Sequence, residues 1–99
     1  MIDLAEIEGF DWNEGNSFKS ADKHGVSQAE AEQVFLNEPV VAGDQRHSLK
    51  EVRFHALGQT DDGRRLHVTF TLRRNRTLIR VISARDMNRK ERAFYEQET

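Results

Sequence analysis

The chain has no cysteine. Disulfide staples, thiol nucleophiles and thiolate metal sites are therefore excluded, and a cytoplasmic address is expected. It has one proline, one tryptophan and one tyrosine, and hydrophobic residues make up 36% of it against 32% charged, so the core must be small and the surface dense in charge. No apolar run nears the ~20 residues a bilayer requires. The first residues, Met1 to Glu8, are acidic and lack the basic and apolar segments of a secretory signal, so none is expected. A chain of 99 residues predicts a single domain over 1–99, near the lower comfortable limit for a self-sufficient core. Its radius of gyration should be about 13 Å. These bounds exclude a multidomain enzyme and a large cofactor fold.

The net charge of −2 conceals two opposed halves. Residues 1–51 carry eleven acidic and four basic side chains, a net of −7, whereas residues 52–99 carry eleven basic and six acidic, a net of +5. Ten of those eleven bases are arginine, whose planar fork grips phosphate through two hydrogen bonds and stays charged at any working pH. An anionic partner, nucleic acid foremost, fits this half, and so does a solvated face that balances the acidic half.

Phe10 and Trp12 flank Asp11 as in a short opening strand. Residues 14–24 read as a polar helix, with Asn13 as its N-cap and Gly25 as its stop. A second helix starts at Ser27, where Glu30 completes a capping box, and ends at Asn37-Glu38-Pro39. Residues 40 to about 46 are extended, and 52–59, 65–73 and 76–84 read as three strands joined by turns at Asp61-Asp62-Gly63 and Arg74-Asn75. A last helix is predicted over 88–97, with Asn88 and Glu91 as its cap pair.

Register decides which side chains gather, because a slip of one residue exchanges the faces of a strand. Leu66, Val68, Phe70 and Leu72 form one apolar face, and Val52, Phe54 and Ala56 another. They meet if the first turn is a three-residue loop with Gly63 left-handed, which sets Phe54 opposite Phe70 and Ala56 opposite Val68. A two-residue second turn would pair Phe70 with Ile79 and place Arg80 opposite Thr69. The other face then collects Arg53, His55, His67, Thr69, Thr71, Arg73 and Arg80. Arg80 interrupts the apolar run Leu78-Ile79-Arg80-Val81-Ile82, and a charge there is costly unless it faces water, a partner or a ligand. Burial against a carboxylate such as Glu51 is the competing reading. Leu57, Leu78 and Ile82 share this polar face, so Met87 and Phe94 of the last helix are expected to cover part of it.

A face of arginines, histidines and hydroxyls suits one chemistry. RNA carries its own nucleophile, the 2′-hydroxyl, which can attack the adjacent phosphate and expel the 5′-oxygen. An enzyme must then supply a proton acceptor, a proton donor and cations for the growing phosphorane charge. His24, His47, His55 and His67 lack helical metal-ligand spacing; His55 and His67 come near each other on adjacent strands without an accompanying carboxylate pattern, and no metal site or cofactor is expected. No glycine-rich phosphate loop appears, and neither Ser48 nor Ser83 sits in a nucleophile elbow. Trp12 suits the core better than base stacking. His24 fits a helix C-terminus as a cation as well as it fits catalysis. Lys19 and Lys23 share one helix face, as solvated lysines commonly do.

Several stretches in fixed order carry a family resemblance: Asp11-Trp12-Asn13, Lys23-His24-Gly25-Val26-Ser27, Glu30-Ala31, Val34-Phe35, then Glu51, Arg53-Phe54 and Gly58. The most specific is Ile79-Arg80-Val81-Ile82-Ser83-Ala84-Arg85, continued by Arg89-Lys90-Glu91-Arg92 and Tyr95-Glu96. Together they resemble the BrnT toxins of bacterial type II toxin–antitoxin systems, from about Phe10 to Glu96. The chain departs from that pattern at Leu72, where many relatives carry an acid, and at Asp86-Met87-Asn88. The resemblance implies an α+β, RelE-like fold: an antiparallel sheet with two N-terminal helices on one face and a C-terminal helix. It implies a ribonuclease that arrests growth, neutralised by a BrnA-type antitoxin through which the complex binds operator DNA, and it leaves room for a toxin homodimer within a heterotetramer. Trp12, Lys23, His24, Arg53, Arg80, Ser83 and Arg85 match motif positions. Arg53 and Arg80 are then candidate transition-state cations, and His24 or Lys23 candidate proton-transfer groups. Trp12, Lys19, Arg46, His47, Arg73, Ser83 and Arg85 are candidate RNA contacts. A non-catalytic RNA- or protein-binding module using the same cationic face is the alternative.

Overall fold

The structure, a computed structural model, describes residues 3–44 and 51–99. Arg46 and His47, and the end of the extended run that begins at Val40, lie outside the described residues. The strict alternation over 65–73 becomes the central strand β4 (Arg65–Arg73). It is flanked by β3 (Arg53–Gln59) and β5 (Leu78–Asp86), β2 (Val40–Asp44) lies beyond β3, and β1 (Gly9–Phe10) lies beyond β5. The class is α+β, but the sheet is mixed. β1 runs parallel to β5, with Gly9 opposite Leu78, which corrects the all-antiparallel expectation. A two-residue strand leaves too little alternation to reveal its direction.

The first hairpin turns as expected. Gly63 is left-handed at φ 85°, Phe54 pairs with Phe70 and Ala56 with Val68. The second differs. Arg74, Asn75 and Arg76 all adopt positive φ in a four-residue loop closed by Thr77, so β5 begins at Leu78 rather than at residue 76. Arg80 therefore lies opposite Thr71 instead of Thr69, and Ile79 opposite Leu72 instead of Phe70. A shift of two residues preserves the faces. An irregularity between Thr69 and Phe70 then inserts one extra residue into β5, so that Ser83 opposes Thr69 and Arg85 opposes His67. Without it Ser83 and Arg85 would face away from Arg80.

Helix α1 (Lys19–His24) is shorter than the predicted 14–24. Residues 14–18 instead form turns, with the Asn13 carbonyl accepting from the Asn16 and Ser17 amides. Tertiary bonds fix this segment against the edge of β5. The buried Asn16 side chain donates to the carbonyls of Asp11 and Val81, and Ser20 Oγ accepts from the Ala84 amide at 2.8 Å. These side chains occupy backbone groups that the short β1 cannot reach. Helix α2 (Gln28–Leu36) has the Ser27–Glu30 capping box, and α3 (Arg89–Glu98) has the equivalent Asn88–Glu91 box. Such a cap contributes about 1 kcal/mol.

The main core joins Val26, Ala31 and Val34 to Ala56, Leu66, Val68, Phe70, Ile79, Val81 and Ala84. Phe70 is fully buried between the Phe35 and Phe54 rings, at centroid distances of 4.9 and 5.5 Å. Gly58 lets α2 approach β3, since a Cβ there would lie 2.9 Å from Val34 Cγ1 and 3.3 Å from the Val34 carbonyl oxygen. A second cluster lies on the other side of the sheet, where Leu57 meets Met87 and Tyr95 with Val40 against them. Met87 covers the polar face as expected, but its companion is Tyr95, while Phe94 is 47% exposed. The radius of gyration is 12.6 Å. Among the described residues no helix is long and apolar enough to cross a membrane.

Candidate functional site

On the sheet face opposite the main core, cross-strand pairing sets side chains in three rows. Arg53, Thr71 and Arg80 form the first, His55, Thr69 and Ser83 the second, and Leu57, His67 and Arg85 the third. Rows lie about 7 Å apart along the strands, and neighbours within a row about 5 Å apart. Tyr95 and Met87 close the third row over Leu57. Arg65, beyond that row, pairs with Glu96 of α3. The first two rows are left partly open.

Each arginine here has an anchor. Arg80 Nη1 lies 3.6 Å from Asp11 Oδ2, and Nη2 donates to Asn13 Oδ1 at 3.2 Å. Its side chain is 18% exposed. The competing reading, an Arg80 largely buried against a carboxylate, thus holds, but the acid is Asp11 from the segment sealing the edge of β5 rather than Glu51. Glu51 instead accepts from Arg73 at 3.0 Å and lies 3.8 Å from Arg53 Nη2. Thr71, buried between Arg53 and Arg80, donates its hydroxyl to the Val52 carbonyl at 2.6 Å. Arg85 forms a bidentate pair with Glu91, at 2.8 and 2.9 Å. That pairing raises the Arg85 pKa above the ordinary guanidinium value. Burial pushes the Glu91 carboxyl up, but hydrogen bonds from Arg85 and the Asn88 backbone outweigh it and hold it below the usual range.

The two histidines foreseen on adjacent strands stack in the second and third rows, with ring centroids 4.8 Å apart and planes 30° apart. His55 Nε2 lies 2.8 Å from Asp44 Oδ2, and Nδ1 lies 3.1 Å from Thr69 Oγ1. Burial pushes His67 down to about 4; Glu91 opposes this, and Arg85 and His55 add to it. His67 is therefore neutral near pH 7, and its 3.8 Å approach to Glu91 is not an ion pair there. Among the described residues no group of three or more His, Cys, Asp or Glu converges as metal ligands would.

Lys23 and His24 stand elsewhere. Both are exposed at the end of α1, beside Arg64, which donates to the His24 and Gly25 carbonyls and pairs with Asp86 and Glu30. Asp86 follows Arg80 by six residues, about 20 Å along a strand, and lies opposite Leu66, a residue of the main core. The fold thus brings Arg53, Arg73, Arg80, Ser83 and Arg85 to one face and leaves Lys19, Lys23 and His24 on α1. Trp12 packs against the main core and donates Nε1–H to Glu32 at 2.8 Å.

Asp44, Asp11 and Glu91 were not foreseen as parts of this face. Asp44 reaches it by pairing opposite Arg53. Nothing in the sequence sets that register, because the connection from residue 45 to 52 is too long for a tight-turn rule. Asp11 stands in a motif stretch, yet only the three-dimensional path around the β5 edge aims it at Arg80.

No curated protein matches the chain. A family model described as the ribonuclease toxin BrnT of type II toxin–antitoxin systems matches residues 12–91, a span that contains Arg53, Arg73, Arg80, Ser83 and Arg85 of the sheet face. The arginine-bearing sheet face thus lies within a chain that belongs to the BrnT family of ribonuclease toxins.

Proposed function

We propose that the chain is the toxin of a type II toxin–antitoxin pair, a RelE-like endoribonuclease that cleaves RNA without a metal by 2′-hydroxyl attack and so inhibits translation and growth. The observation that carries this reading is the row Arg53–Thr71–Arg80 on a partly open sheet face. Its two guanidinium groups arise from backbones two strand spacings apart, about 10 Å, a span that suits a phosphodiester held between two long side chains. Both remain cationic while charge grows on the phosphorane. Asp11 and Asn13 fix the aim of Arg80, and Glu51 lies beside Arg53, so both are positioned before RNA arrives.

In the reaction the 2′-oxygen forms a bond to phosphorus and the bond to the 5′-oxygen breaks, giving a 2′,3′-cyclic phosphate and a 5′-hydroxyl. Arg73, Ser83 and Arg85 would hold the strand on either side of the scissile phosphate, with Arg46 and His47 contributing from the neighbouring segment. Lys19, Lys23 and His24 would hold RNA running past the β5 edge, and Trp12 would support the base of that path from the core. The antitoxin, through an acidic or amphipathic segment, would cover the cationic face and bring the pair to operator DNA as a heterotetramer with two toxin copies. The purified chain is expected to cleave RNA in excess chelator and to leave 2′,3′-cyclic phosphate ends. Cleavage that needs an added divalent metal would contradict the mechanism. Binding of many RNAs without cleavage of any would favour the non-catalytic module.

A further inference from the structure

The reaction proposed above needs a proton acceptor beside the scissile phosphate, and the two α1 candidates are exposed at the helix end held by Arg64, which pairs with Asp86, six residues beyond Arg80 on β5. We propose that His55 is that acceptor, with Asp44 as its positioning residue and the Thr69 hydroxyl as the link to the substrate. This assignment rests on the ribonuclease reading and names the base for it.

His55 lies in the row next to Arg53–Thr71–Arg80, one step of about 7 Å along the strand. An attacking hydroxyl lies about 3 Å from its phosphorus, so a phosphate held between the arginines would bring that hydroxyl toward the His55 row. A carboxylate can only accept, so Asp44 Oδ2 at 2.8 Å fixes the proton of neutral His55 on Nε2. Nδ1 then carries the lone pair, directed at Thr69 Oγ1 at 3.1 Å. The Asp44 side chain is 8% exposed, so its bond to His55 is shielded from water, whereas the His55 side chain is 32% exposed and open to a ligand. An imidazole oriented through one nitrogen by a buried carboxylate is a recurring general-base arrangement. The stacked His67 ring limits His55 to one plane. Because burial keeps His67 neutral, it adds no competing charge near pH 7.

The proton balance is simple. The 2′-hydroxyl gives its proton to Thr69 Oγ1 as the Thr69 proton passes to His55 Nδ1. The 2′-oxygen bonds to phosphorus, and the 5′-oxygen leaves with the P–O electron pair and takes its proton from water. The resulting imidazolium is stabilised by Asp44. Among the described residues, the charged or titratable groups around His55 include Asp44 from β2, Arg53 on its own strand and His67 from β4, with Arg85 of β5 and Glu91 of α3 behind His67. The nearest of these anions is Asp44.

The test is the pH dependence of RNA cleavage by the whole chain, with thermal unfolding followed in parallel. His55→Ala is expected to reduce cleavage by about 10²-fold or more, and Thr69→Val to reduce it as well. Asp44→Asn should cost less rate and move the acidic limb of the profile to lower pH, which a merely structural role would not do. If His55→Ala does not fold, His55→Gln keeps the size of the ring and replaces it as the probe. A folded His55 variant that cleaves at the wild-type rate would overturn this assignment alone. So would an Asp44→Asn profile with an unmoved limb. A wild-type chain that cleaves no RNA would overturn the ribonuclease reading and this assignment with it.

Discussion

His67 and Arg64 show how single residues set the working range of this small protein. His67 is 8% exposed and titrates near 4, below the ordinary imidazole value of 6.5, because burial disfavours its charged form. As pH falls below 6.5 the unfolded chain takes up a proton that the folded chain refuses. The fold therefore loses stability between pH 6.5 and about 4, and below that this residue adds no further loss. The full shift corresponds to at most about 3 kcal/mol. Urea midpoints measured across this window should fall steadily for the wild type and less steeply for His67→Gln; equal slopes would contradict the assignment. Glu30, Asp86 and Glu91 act at lower pH. All three are held below the usual carboxylate range, so the stability they lend is present above it and is lost as acid protonates them. Arg64 ties two of them, Glu30 and Asp86, to the carbonyls that end α1, which makes it the bond between the helical layer and the end of β5.

The elements divide by whether local chemistry or tertiary contact decides them. Strand β4, both capping boxes and the Gly63 turn follow from alternation, cap residues and a glycine requirement, and each is legible in the sequence. The Arg74–Thr77 loop is not, because arginine and asparagine do not advertise three successive left-handed residues. The β5 irregularity is also hidden, since Ile82-Ser83 reads as ordinary alternation until Thr69 is seen opposite Ser83. Residues 14–18 read as the start of a helix from their place between Asn13 and Gly25, yet Gly15, Asn16 and Ser17 are poor helix formers and Asn16 is drawn to the β5 backbone, which holds the segment in turns. The loop offers a direct check. Arg76 is exposed at φ 69°, where glycine has no Cβ to clash. Arg76→Gly is expected to raise unfolding stability by up to about 1 kcal/mol, the gain being reduced by the greater freedom of glycine in the unfolded chain. A loss of stability in chemical denaturation would show that the Arg76 side chain matters more than its backbone strain.

At the scale of the whole molecule, the sheet separates two tasks. One face, packed with Val26, Ala31 and Val34, holds the fold. The other carries Arg53, His55, Thr71 and Arg80, and α3 closes only its Leu57 end. The share of that second face from Arg53 to Arg80 was readable from register, because a two-residue error in a turn leaves faces intact, whereas Ser83 and Arg85 join it only through the β5 irregularity. Its internal pairing was not, since Asp11 and Asp44 arrive from segments whose paths only the fold defines. The charge asymmetry between the two halves of the chain takes spatial form on this face, where arginines from β3, β4 and β5 gather.

The most direct measurement is the rate of RNA cleavage by Arg80→Gln and Arg53→Gln beside the wild type, in excess chelator and with thermal unfolding recorded for each. If the two guanidinium groups stabilise the phosphorane, both variants should stay folded and cleave about 10²- to 10³-fold more slowly. Folded variants that cleave as fast as the wild type would place the chemistry somewhere other than this sheet face.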